Sequence, residues 1–165
     1  PAQRMAKADA YSTASGITAD GWPVATDGKA AWLTHCYAMV GVARDAAPST
    51  GSGSELFTPI GQSARRLDRN YAVVGRIVEG MNYLSALPRS EATMGVYATP
   101  SERTGIVRVR LASDLPVGER PRLEYRAADN PRFAAAIAHR ERPDAPTVPT
   151  GASVCDVLPA VRRAP

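Results

Sequence analysis

Three short strand-like runs, separated by glycine- and proline-rich loops, limit this chain most strongly in what it can fold into. Met39–Arg44 alternates around Val40 and Val42, Leu56–Ile60 follows, and Tyr71–Val78 is the run richest in β-branched residues. Runs this short pair into a sheet rather than wind into stable helices. Pro59 lacks an amide donor, which places the second run at a sheet edge or strand end. Gly75 interrupts the third and points to a bulge or a close backbone approach. The connections are a Ser/Gly loop, Asp45–Ser54, and a basic loop, Gly61–Asn70.

Around these runs the signals are local. Residues 1 to 30 are polar and Gly/Ala/Ser-rich, with turn signals at Asp20-Gly21 and Asp27-Gly28, and are expected to form a loop or loose insertion. Trp22 either anchors that insertion or lies half exposed. Ala31–His35 is expected to be a short strand. Met81, Leu84 and Leu87 recur at helical spacing, so Gly80–Leu87 is a short helix stopped by Pro88. Arg89–Arg103 reads as a loop, Ile106–Leu111 as a half-buried strand by its alternation, and Asp114–Arg120 as a turn. Asn130 caps a helix with Pro131 in its first position, Phe133 and Ile137 on one apolar stripe, and Pro143 at its end. Residues 144–151 are Pro/Thr-rich and extended. Val154–Val161 adds a strand or trails along the surface. The whole is mainly β with short helices, part of a β-barrel or sandwich.

A chain of 165 residues can bury a real core, and an apolar fraction of 44% argues against general disorder. No apolar run approaches the ~20 residues that span a bilayer, so membrane insertion is not expected. The net charge of +4 comes almost entirely from arginine, with only Lys7 and Lys29 as lysines. These arginines are scattered and not interleaved with aromatic residues, so a basic β-protein binding nucleic acid is disfavoured. The chain opens on Pro1 without an initiator Met, as a processed or truncated piece of a longer product would. Cys36 and Cys155 fit no zinc spacing, even with His35 and His139 added, and the bland reading makes both histidines surface residues. The two thiols are separate, or joined in one long-range disulfide in an oxidising compartment.

Taken in order, Met39–Arg44, then Gly51-Ser52-Gly53-Ser54-Glu55-Leu56-Phe57, then Leu67-Asp68, then Val74-Gly75-Arg76-Ile77-Val78-Glu79-Gly80-Met81 resemble the second half of a cyclophilin-type peptidyl-prolyl cis-trans isomerase domain. The resemblance runs over residues 39–111. It implies a partial cyclophilin-like β-barrel, with the N-terminal half of the barrel absent. It divides the chain into a loop-rich insertion (1–38), the C-terminal half of the domain (39–113) and a C-terminal extension with one short helix (114–165). The His35-Cys36 pair and the long tail are similar to a bacterial subgroup with an extended C-terminus, which implies a periplasmic or secreted enzyme acting in protein folding.

The implied chemistry is rotation about an X-Pro bond, which is slow because amide resonance sets a barrier of roughly 18–20 kcal/mol. Such an enzyme binds the twisted amide better than either planar form, and needs no nucleophile, metal or cofactor. By the resemblance, Phe57 is the aromatic floor of the proline pocket and Leu67 an apolar wall. Ala43 and Arg44 line the peptide groove. Glu55 stands where the family has Gln, Tyr71 where it commonly has His, and Arg66 where many members have Trp. Glu for Gln exchanges an amide donor for a carboxylate that only accepts.

The family's upstream motif, carrying the catalytic arginine, a second pocket Phe and a groove Gln, has no counterpart. Neither Phe-x-Arg nor Gln-Gly-Gly occurs in the sequence. The resemblance therefore implies a peptidyl-prolyl isomerase of which this chain is a fragment, holding no catalytic residue and almost inactive alone. The alternative is a catalytically inactive cyclophilin-like module that binds Pro-containing polypeptides. Without the motif context, Phe57 and Leu67 would read as core and Arg65, Arg66 and Arg69 as a solvated face. A half-barrel also leaves open sheet edges, so poor solubility is expected.

Overall fold

The computed structural model describes residues 2–62, 64–142 and 151–165. It is mainly β with short helices. The polar, small-residue start of the chain is a sheet, not a loop. β1 (Gln3–Arg4), β2 (Ala14–Ile17), β3 (Pro23–Thr26) and β4 (Ala31–Leu33) form an antiparallel meander. Its hairpins turn at the two Asp-Gly pairs, where Gly21 (φ 87°) and Gly28 (φ 91°) take the left-handed conformation that costs glycine nothing. Ser15 and Gly16 of β2 pair with Ala25 and Val24 of β3, so backbone pairing makes strands from residues with little intrinsic strand preference.

The three sequence runs form a second sheet in the order β6-β5-β7. β5 (Met39–Val42) is central, between the short β6 (Leu56–Phe57) and β7 (Val73–Arg76). Val40 lies opposite Gly75 and Gly41 opposite Val73, so Val74 is the extra residue of a bulge, as the break at Gly75 suggested. α1 (Met81–Ser85) follows and buries Met81. Among the described residues the sheets do not close into a barrel.

Ile106–Leu111 is not a half-buried strand. It pairs with nothing among the described residues, and Ile106, Val107, Val109 and Leu111 are largely exposed. Alternation alone does not make a strand without a neighbour to accept its backbone bonds. Among the described residues the tail holds strands besides its one α-helix. α2 (Pro131–Glu141) begins as expected, with the Asn130 side chain accepting from the Arg132 amide. Leu123–Tyr125 and Val161–Arg163 pair as β8 and β9, and a tight helical turn covers Val154–Val157. Pro143 and the stretch up to residue 150 lie outside the described residues.

The main core joins the two ends of the chain. Met5, just after β1, and Ile17 of β2 pack with Ala128, Phe133 and Ile137 around α2 and with Val154 and Val157 of the tail. Glu141, buried at the end of α2, accepts from the Ala6 amide at 2.7 Å. Cys36 and Cys155 form a disulfide, with Cα atoms 5.2 Å apart, just ahead of β5. The tail is thus packed and bonded onto the body rather than trailing along it.

Candidate functional site

The implied site residues gather around Phe57, at the end of β6. Phe57 lies directly across Gly41 of β5. A Cβ at position 41 would stand 2.4 Å from the ring, so this approach requires glycine. The Tyr71 ring meets Phe57 edge-on at 5.3 Å, and the Arg44 guanidinium sits over Tyr71 at 5.2 Å. Both contacts fall in the range where aromatic and cation–π pairs attract. Ala43 donates its amide to the Glu55 carbonyl at 2.9 Å, extending the pairing of β5 with β6, while the Glu55 side chain is exposed. The Leu67 carbonyl accepts the Asn70 and Tyr71 amides, which folds the loop that presents Tyr71. Leu67 is half-buried and Arg66 exposed.

Arg44 donates from all three of its nitrogens. Nε donates to the Asn70 carbonyl at 3.0 Å, Nη1 to the Asp45 carbonyl at 2.7 Å, and Nη2 to the Asn70 side-chain oxygen. It ties the loop to the strand, and its bonding capacity is largely used there.

Behind this face lies a buried polar cluster that the residue types did not reveal. Arg65 is buried, not part of a solvated face. Its Nε donates to Asp68 at 2.6 Å and its Nη1 to Asp9 at 2.6 Å, joining the site loop to the β1–β2 connection. Asp68 also accepts from the His35 amide at 2.7 Å and from the Trp32 indole at 3.2 Å. Burial alone would raise the Asp68 carboxyl pKa. The His35 ring and amide and the Arg65 guanidinium outweigh it and hold the pKa below the ordinary aspartate value. The same balance lowers Asp9, where burial is outweighed by the Tyr11 amide, Arg65 and Ser12.

His35 likewise is not a surface residue. It is fully buried, and its ring stacks on Phe57 with centroids 5.9 Å apart and planes 2° from parallel. The sequence signal for this cluster was the Leu67-Asp68 pair: an aspartate beside the expected pocket wall needs donors, and His35, Trp32 and Arg65 supply them. Among the described residues, no group of three or more His, Cys, Asp or Glu side chains is placed to hold a metal ion.

No curated protein matches the chain significantly. The family model described as "Cyclophilin type peptidyl-prolyl cis-trans isomerase/CLD" matches residues 4–111. That span takes in the end of β1 and all of β2–β4, upstream of the segment whose motifs carry the resemblance. With most of its length matched, including the strand–loop–strand that presents Phe57, the chain belongs to the cyclophilin-type peptidyl-prolyl cis-trans isomerase family.

Proposed function

We propose that this chain is the polypeptide-gripping part of a peptidyl-prolyl cis-trans isomerase, and that alone it holds proline-containing segments while accelerating their isomerisation little. The observation that carries the reading is the half-exposed Phe57 ring, seated on Gly41 and flanked by Tyr71 and Arg44. A rigid aromatic surface beside an exposed loop suits a prolyl ring and its flanking backbone. The family acts on X-Pro bonds, which supports the substrate class.

Weak turnover is supported by the missing Phe-x-Arg motif and by the engagement of Arg44 with Asn70 and Asp45. A guanidinium that must meet the prolyl nitrogen has to be held there, since misplacement by about 1 Å costs roughly a hundredfold. We read the β6-β5-β7 sheet as part of a cyclophilin-like barrel, in a subgroup with an extended C-terminus. The Cys36–Cys155 disulfide supports an oxidising compartment, periplasmic or secreted.

The test uses the tetrapeptide Ala-Ala-Pro-Ala and its counterpart with alanine for proline. The expected result is saturable binding of the proline peptide alone, lost in Phe57→Ala, with exchange between its cis and trans forms near the uncatalysed rate. Equal binding of both peptides sinks the groove assignment. Clear acceleration of exchange by the purified chain overturns the claim of weak turnover.

A further inference from the structure

His35 is fully buried, and its ring lies beside the Asp68 carboxylate without a hydrogen bond of good geometry to it. Both ring nitrogens are sealed from solvent without a hydrogen-bond partner. Nδ1 lies 3.4 Å from Asp68 Oδ1, near enough to favour the carboxylate electrostatically but not aligned for a hydrogen bond. Leaving buried polar groups unpaired is costly, and an apolar residue would avoid that cost. The ring's placement offers the compensating role.

The His35 backbone is pinned from two directions. Its amide donates to Asp68, and the next residue, Cys36, is covalently bonded to Cys155. Asp68 is in turn held by Arg65 and Trp32. The fully buried imidazole thus starts from a fixed backbone, and it lies parallel to Phe57. Gly41 supports Phe57 from the strand and Tyr71 meets it edge-on, but the Phe57–Tyr71 contact is close to perpendicular, at 79°. Among the described residues His35 is the ring that stacks parallel to Phe57.

We propose that His35 is a positioning residue for the prolyl-binding surface: its ring, buried and carried on a backbone held by Asp68 and the Cys36 linkage, sets the plane of Phe57 and so the fit of a proline ring against it. This rests on reading Phe57 as the floor of the groove. His35 itself is buried and acts through Phe57.

The chain has only two phenylalanines, so ring-labelled Phe gives a spectrum in which Phe57→Leu assigns Phe57 and leaves Phe133. In His35→Leu, which removes the ring, the Phe57 resonances should shift and average, and the Kd for Ala-Ala-Pro-Ala should rise about fivefold to tenfold, the scale of one aromatic contact. His35→Phe, which keeps a ring but no nitrogen, should restore both to near the wild-type values. The proposal is overturned if His35→Leu leaves the Phe57 resonances and Kd in place, or if His35→Phe behaves like His35→Leu at similar thermal stability. Should His35→Leu fail to fold, His35→Gln is the ringless variant, judged by the same criteria. A wild-type chain that does not bind the peptide defeats the proposed function, while the Phe57 resonances still decide whether His35 sets that ring's position.

Discussion

Gly41 and Phe57 show how little room the site leaves. Gly41→Ala should push the Phe57 ring off its seat at a cost of about 1–3 kcal/mol, as overpacking does, and weaken proline-peptide binding along with it. Thermal melts and peptide titrations of the one variant check both effects. Asp68 offers a second test. Its folded-state pKa is depressed, so the stability it contributes is present above the unfolded value of about 4 and is lost as pH falls through the lower folded value. Asp68→Asn should therefore cost roughly 3 kcal/mol at neutral pH, by leaving Arg65 and the His35 amide short of an acceptor, and the gap from wild type should close in acid. Denaturant titrations at pH 7 and at about pH 3 measure it. A gap that persists unchanged in acid would show that Asp68 does not act through its charge.

At the scale of elements, the tail and the body stabilise each other. The disulfide closes a loop with a sequence separation of 119, and chain-entropy estimates for loops of that size give about 5 kcal/mol. Cys155→Ser should lower the denaturant midpoint accordingly, with amide exchange faster first around Val154–Val157. Asn130→Ala should cost about 1 kcal/mol through loss of the α2 cap. This cap was legible in the sequence because Asn130-Pro131 is a local signal, and β5 and β7 were legible because their β-branched residues state a preference on their own. β1–β4 were not. Ala14–Ile17 and Pro23–Thr26 become strands through pairing with each other, and only the Asp-Gly turns between them announced it. In the site, Phe57 and Tyr71 could be singled out from motif order. The burial of His35 and Arg65 could not, because His35 depends on Asp68 and Arg65 on Asp9, each a partner distant in the chain.

Across the whole molecule, the feature that stands apart is the extended Ile106–Leu111 segment, with four large apolar side chains in the open. Such a segment with unpaired backbone groups invites association with other chains. The double substitution Val107→Lys and Val109→Lys should reduce self-association, seen in light scattering or sedimentation, and leave the melting temperature nearly unchanged. Wild-type chain that stays monomeric at high concentration would show that the segment is harmless.

The ion pairs of this protein fall into two environments, and salt will tell them apart. Arg65 meets Asp9 and Asp68 inside, whereas on the surface Arg162 of β9 meets Glu124 of β8 and Arg163 of β9 meets Glu79, just after β7. At 1 M ionic strength the screening distance shrinks to about 3 Å, which weakens the outer pairs and barely reaches the inner ones. Concentrated electrolyte should therefore fray the two-stranded tail sheet while the floor of the site keeps its shape.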